Sequence, residues 1–320
     1  MNRGRGDMTA TVALAGCGNI GRRHLQALAA MGNPIRVYAI EPDPAMRAAL
    51  TAPDHVSLIV SPDALEVPES VDLAIVATGA QARRAALEAL LARVAPQALL
   101  LEKVLFTSRR DLSEVGATLA ARSLPAFVNC GRRGFAGYDA LRRTLAGRRG
   151  MTMAVTGAGW GLCSNAAHFI DLAEHLLGEE VVALSGAALD PTVLDAKRAG
   201  CVEMTGRLEG RMAGGGALDI VCAPGPASPP SVEIAHQGDT WRIDEAAGRI
   251  VHRDRSGAEH ATPLEARRVS EMPYLYAELL AGRSRLTPYR DSARQHALML
   301  DAFRARLGLS IEEDAPCPIS

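Results

Sequence analysis

The stretch TVALAGCGNIGRRHLQALAAMG (11–32) passes from a continuous apolar run, through three glycines, into a segment with helical spacing. Strand, glycine turn and helix in that order make Gly16, Gly18 and Gly21 a GxGxxG fingerprint rather than three unrelated turn residues. The glycines let the backbone turn tightly and approach a pyrophosphate, whose charge then lies against the N-terminus of the following helix. A second apolar run, IRVYAIE (35–41), ends in Glu41 at the spacing the fingerprint requires, about 20 residues on. A carboxylate there accepts hydrogen bonds from both adenine-ribose hydroxyls and repels a 2′-phosphate. NAD is therefore expected over NADP.

Outward from this unit the rhythm continues in VSLIV (56–60), DLAIVAT (72–78), ALLLEK (98–103) and AFVNC (126–130), with helical segments such as QARRAALEALLARVA (81–95) between several of them. Strands that read as unbroken apolar runs are covered on both faces, as in a parallel sheet flanked by helices. The expectation is a doubly wound α/β domain with its ligand at the carboxyl ends of the strands. Candidate cofactor contacts are Gly16, Gly18, Asn19, Ile20 and Gly21 in the first turn, Glu41 on the second strand, and Thr78, Glu102 and Lys103 at the ends of later ones.

The run LLLEKVLF (99–106) raises its own question, because burying either charge without a partner costs several kcal/mol. Glu102 and Lys103 either leave the sheet for solvent, or Lys103 enters a cleft where chemistry happens. Beside a nicotinamide, an ammonium can hydrogen-bond a substrate hydroxyl and stabilise the alkoxide that forms as hydride leaves.

GWGLCSNAAHFIDLAEHLLG (159–178) reads as a glycine-rich loop entering a helix, with Ser164 or Asn165 as N-cap. His168, Asp171 and His175 fall at i, i+3 and i+7 on one face. An amphipathic helix explains them, and a metal site is a second reading, but no further cluster completes a ligand shell and no metal is expected. Granted a nicotinamide site, a catalytic His168 opposite Lys103 is the preferred reading. Trp160 and Asn165 can stack on and hydrogen-bond a sugar. Arg132 and Arg133, in VNCGRR, can grip phosphate or carboxylate oxygens, or form a solvated pair. Cys130 and Cys163 have no adjacent base and read as packing residues.

Composition restricts the function classes. The 320 residues are 48% hydrophobic, enough for a sizeable core and two domains. Lys plus Arg (35) nearly balance Asp plus Glu (36), so no global field draws in nucleic acid or an acidic membrane. No apolar run reaches the ~18 residues that span a bilayer, and MNRGRGDM lacks a signal-peptide core, so a cytoplasmic protein is expected, with Met1 or Met8 as its start. The six cysteines show no CxxC pair and read as reduced thiols. VEMTGRLEG, TWRIDEA and GRIVHRD alternate as antiparallel strands with one exposed face, and APGPASPP (223–230) reads as a hairpin or connection. Such a sheet is a common pairing surface, so a homodimer or homotetramer is expected.

Together these residues resemble the Gfo/Idh/MocA oxidoreductases along essentially the whole chain. AGCGNIGRRHLQAL, the acidic strand end YAIEPDP, LLLEKVLF in place of a glutamate-lysine-proline motif, NAAHFIDLAEHLLG and LTPYRDSARQHALMLDAF carry the likeness. The resemblance implies an N-terminal Rossmann domain (1–128) and a C-terminal α/β domain (129–320) with a large, mostly antiparallel sheet. It also implies that Lys103 and His168 match the residues assigned to proton handling. Val104 stands where the motif has proline, leaving the following backbone less constrained, Ser164 where many members have aspartate, and ATGAQARR lacks the common Pro and His. The set ATGAQAR, LEKVLF, VNCGRR and WGLCSNAAHFIDL resembles a subgroup from bacterial surface-polysaccharide and nonulosonate biosynthesis, implying a sugar or sugar-nucleotide substrate. A non-catalytic dinucleotide-binding regulator and an epimerase-like enzyme that recycles bound NAD are the alternatives.

Overall fold

In the computed structural model the described residues are 9–310 and 315–320, so Met1 and Met8, the candidate starts, lie outside them. Two compact units are interleaved in sequence. The first takes the described residues up to Glu102, then Ala117–Asn129 and Arg267–Pro288. The second takes Lys103–Gly116, Cys130–Ala266 and Tyr289–Ser320.

In the first unit β1 (Ala10–Ala15), α1 (Asn19–Ala29), β2 (Ile35–Ile40), α2 (Pro44–Ala48) and β3 (Val56–Ser61) run out to one edge of a sheet. The chain then returns across β1 with β4 (Leu73–Val76), α3 (Ala80–Leu91), β5 (Leu99–Leu101) and β6 (Ala126–Val128); α4 (Arg109–Ala121), which precedes β6, belongs to the second unit up to Gly116. The strand order is β6-β5-β4-β1-β2-β3 with every pairing parallel. The order reverses between β1 and β4, so ligand is expected at their carboxyl ends. Val12, Leu14, Leu73, Ile75 and Leu99 are fully buried, which is why these strands read as unbroken apolar runs.

The second unit is built on an eight-stranded sheet. Its elements are α5 (Ala136–Leu145), β7 (Thr152–Ala158), α6 (Leu162–Leu177), β8 (Val181–Asp195), β9 (Val202–Met212), β10 (Ala217–Ala223), β11 (Ser228–His236), β12 (Asp239–Asp244), β13 (Arg249–Arg253) and β14 (Glu259–Pro263). The order is β8-β9-β10-β7-β11-β12-β13-β14, antiparallel throughout except for the parallel pair β10–β7. APGPASPP therefore links β10 to β11 past the intervening β7 and forms no hairpin. The apolar α6 packs against β9, β10 and α5.

The chain next re-enters the first unit as α7 (Pro273–Leu280) and the short strand Thr287–Pro288, which adds antiparallel to β6. It ends in the second unit with α8 (Tyr289–Leu307), packed on α6 and β8. A single cut after residue 128 thus becomes an interleaved division, because the rhythm of apolar runs does not say to which sheet a late segment returns. Among the described residues no helix is long and apolar enough to cross a membrane.

Candidate active site

The turn after β1 is built by exclusion of side chains. Gly16 has φ +86°, and a Cβ on Gly21 would fall 2.0 Å from the Gly16 carbonyl oxygen, so no side chain fits there. Gly18 is different: a Cβ would meet nothing closer than Met46 at 3.8 Å. Gly18 is also the N-cap of α1 and supplies no capping side chain, and the first turn holds no acidic residue. Asn19 is exposed and Ile20 half-buried in that turn. Its amide groups are a ready site for an anion.

Glu41 follows β2 and is buried at the lip of this turn. Its carboxylate accepts from the amides of Cys17 (2.8 Å) and Asp43 (3.1 Å), tying the glycine turn to the second strand. Burial and the Glu41 charge push the Cys17 thiol up to about 12, against a lowering by Arg22. Beyond β4, Thr78 Oγ1 is buried without a hydrogen-bond partner, as is Arg22 Nε on α1. Orphaned polar atoms beside an open, positively polarised helix end fit a dinucleotide pyrophosphate.

Glu102 does not leave the sheet for solvent. It is 5% exposed, and Oε1 receives His24 Nε2 at 2.9 Å and Asn129 Nδ2 at 2.5 Å. His24 Nδ1 in turn lies 2.5 Å from the Tyr276 hydroxyl. Burial raises the Glu102 carboxyl pKa, but the hydrogen bond and charge of His24, with Asn129 and Arg83, outweigh it and hold the group below its ordinary value. Burial and the Glu102 charge push the Tyr276 phenol well up. The Tyr276 phenol thus keeps its proton and pairs with Nδ1, while Nε2 faces Glu102.

Lys103 is the next residue in the chain and belongs to the second unit. The Lys103–Val104 peptide is cis. Nζ donates to the Ser164 carbonyl at 2.8 Å and to Asn165 Oδ1 at 3.2 Å, both in the first turn of α6. Asn165 Nδ2 donates to the carbonyls of Trp160 (3.0 Å) and Gly161 (3.1 Å), which turns its oxygen to the ammonium. His168 follows one turn later, half-buried, with Nδ1 buried and without a hydrogen-bond partner. Burial first, then the charges of Lys103, Arg132 and His296, pull its pKa well below the ordinary value, so the imidazole is neutral near pH 7.

The helix does not start at Ser164 or Asn165. Its N-cap is Gly161, with φ +81°, and the carboxylate of Glu203 on β9 takes the amides of Cys163 and Ser164. Sequence reading missed Glu203, since the contact spans 40 positions. Trp160, Ser164, Asn165 and Glu203 line a cavity of about 680 Å³ together with Lys197 and Arg198. The Trp160 indole nitrogen donates to the Val221 carbonyl, and its ring meets Phe169 edge-on at 5.4 Å.

Arg132 and Arg133 form neither a solvated pair nor open forks for a substrate anion. Arg132 is bidentate to Glu245 at 2.7 and 2.8 Å and stacks over Phe169 at 4.7 Å. Arg133 reaches Asp171 at 2.7–3.0 Å. Asp171 is thereby committed to an ion pair, and His175 Nε2 stands 3.9 Å from Asp139. Cys130 and Cys163 are buried thiols, and burial with the Glu203 charge pushes Cys163 far up.

Residues 10–130 match the family profile GFO_IDH_MocA, described as an oxidoreductase family with an NAD-binding Rossmann fold. No curated protein sequence matches the chain. Among solved structures it is similar to UDP-N-acetylglucosamine 3-dehydrogenase GnnA from Acidithiobacillus ferrooxidans, with 18% identity, a TM-score of 0.73, and 95% of this chain and 98% of that chain covered. An oxidoreductase from Agrobacterium radiobacter in complex with NAD+, L-tartaric acid and magnesium gives 16% identity, a TM-score of 0.73 and coverages of 96% and 99%. The super-repressor mutant of Gal80p from Saccharomyces cerevisiae gives 11%, 0.70, 96% and 98%. At such identities the likeness is one of fold.

Proposed function

We propose that the chain, whose residues 10–130 match the Gfo/Idh/MocA family of NAD-binding oxidoreductases, transfers hydride between a nicotinamide and the carbinol of a sugar or sugar nucleotide. The observation that carries the reading is the grip of Ser164 and Asn165 on the Lys103 ammonium one turn before a neutral His168. A bound dinucleotide supplies the hydride acceptor or donor. The first turn of α1, Thr78 and Glu41 would hold it, the last at the ribose hydroxyls, which favours NAD over NADP.

In the oxidising direction the His168 imidazole takes the hydroxyl proton as hydride leaves the carbinol carbon, while Lys103 Nζ hydrogen-bonds the oxygen as negative charge develops on it. In the reducing direction the same two groups return the proton. Asn165, which grips Lys103, also lines a cavity with the volume of a small-ligand site, whose lining includes neither Lys103 nor His168. The likeness to GnnA supports a sugar nucleotide, and with it a place in bacterial polysaccharide or modified-sugar synthesis. Exposed Val182, Val193 and Leu194 on β8 support pairing of copies through the large sheet.

The likeness to Gal80p supports a second reading, a dinucleotide-binding regulator on the same fold. Nicotinamide absorbance followed with a panel of sugar nucleotides separates the two. Turnover is expected; tight NADH binding with no change against any sugar would replace the enzyme by the regulator.

A further inference from the structure

The first turn of α6 has to do two things with no side chain of its own for the first of them. An α-helix begins with four amide groups that find no partner inside it. Here Gly161 brings no capping atom, and the first turn carries no acidic residue. Yet that turn presents the Ser164 carbonyl and Asn165 Oδ1 to Lys103. In helical register the Ser164 carbonyl is also the acceptor for the His168 amide, so a shift of this one peptide moves both proposed catalytic groups.

We propose that Glu203, on β9, is the positioning residue of Lys103: its carboxylate holds the α6 N-terminus in the arrangement in which Ser164 and Asn165 grip the ammonium. Oε2 accepts from the Cys163 amide at 2.8 Å, while Oε1 accepts from the Ser164 amide at 3.2 Å and from the Ser164 hydroxyl. One carboxylate thus satisfies two otherwise unpartnered helix amides and the hydroxyl between them. Its negative charge complements the positive end of the helix. An anion in the first turn of α6 itself does the same work, which makes the role transferable along the chain. The inference rests on the reading of Lys103 as the group that meets the substrate oxygen, but the contact it asserts is measurable without turnover.

The chain has two lysines, Lys103 and Lys197, and Lys197 is exposed. Acetylation by a limiting amine-reactive reagent, read by mass spectrometry on the full chain, therefore gives an internal ratio of held to unheld ammonium. In Glu203→Ala the Lys103/Lys197 labelling ratio should rise roughly tenfold, the factor for losing one hydrogen bond to a charged group. Adding Ser164→Asp should return it to within about twofold of wild type, since a first-turn anion restores the helix end. The value of kcat should fall as the ratio rises and recover as the ratio returns, with NADH affinity unchanged. A folded Glu203→Ala protein with the wild-type ratio, or a raised ratio that Ser164→Asp fails to lower, overturns the proposal. Should Glu203→Ala not fold, Glu203→Gln, which keeps the shape but sets an amide against the helix N–H groups, should raise the ratio by about threefold, and an unchanged ratio there overturns it equally. A wild-type protein that turns over no sugar would remove the proposed reaction, while the labelling ratio would still decide the role of Glu203.

Discussion

His24 Nε2 and Glu102 Oε1 stand 2.9 Å apart in a site closed to solvent, with Tyr276 and Asn129 on either side. One charge of LLLEKVLF is therefore locked into the first unit and the next reaches into α6. Removing His24 would leave the Glu102 carboxylate buried with only part of its partners. His24→Leu should accordingly lower stability by roughly 3 kcal/mol, and Glu102→Leu in the same chain should recover much of the loss. Urea unfolding of the single and double variants measures this; a His24→Leu loss below about 1 kcal/mol would remove the network from the account.

The glycine turn predicts a split between two substitutions. Gly21→Ala must displace the Gly16 backbone and should damage both fold and dinucleotide binding. Gly18→Ala has room in the protein, so it should fold normally and lose affinity for NADH alone. Thermal melts and fluorescence titration distinguish the outcomes, and normal NADH affinity in a folded Gly18→Ala would mean that no phosphate approaches that backbone.

Glu41→Ala should weaken NADH binding by about 1–3 kcal/mol and narrow the gap to NADPH. Part of the loss will come through the Cys17 amide, which Glu41 also holds. Tighter binding of NADPH than NADH by the wild type would contradict the ribose assignment.

Stability should also depend on pH through His175, which is buried, with burial and the charges of Arg133 and Arg142 drawing its pKa from 6.5 to about 4. The unfolded chain then binds the proton first. The contribution is complete above pH 6.5, is lost as pH falls towards 4 and changes no further below. It amounts to about 3 kcal/mol. His168 is depressed in the same sense, so the two must be separated by difference. Urea midpoints across this range should slope less in His175→Leu than in wild type, and parallel slopes would sink the assignment.

What was legible in the sequence was what local spacing encodes. GxGxxG needs only its own neighbours, and the position of Glu41 is set by one strand, one helix and one strand in succession. Lys103 was conspicuous because an ammonium ends an apolar run. The partners were not legible. Glu102 was tied to a histidine 78 positions away, and Arg132 to a glutamate 113 positions away, and no periodicity connects such residues. Ser164 and Asn165 have the chemistry of N-caps, but the glycine conformation at 161 starts the helix earlier and a carboxylate from β9 takes the amides. Arg132 and Arg133 looked like anion ligands for the reason they are in fact consumed, since guanidinium groups in a folded chain find carboxylates.

The central claim is that the Lys103 ammonium acts on the oxygen that gains charge as hydride moves. Steady-state and single-turnover kinetics of folded Lys103→Met with the substrate of the wild type test it most directly. The expected kcat is lower by about two to four orders of magnitude, with NADH affinity unchanged. His168→Ala should behave similarly, and the double variant should lose less than the product of the two losses. Near-wild-type kcat in Lys103→Met would contradict the account and reduce the hydrogen bonds from Nζ to Ser164 and Asn165 to a structural clasp.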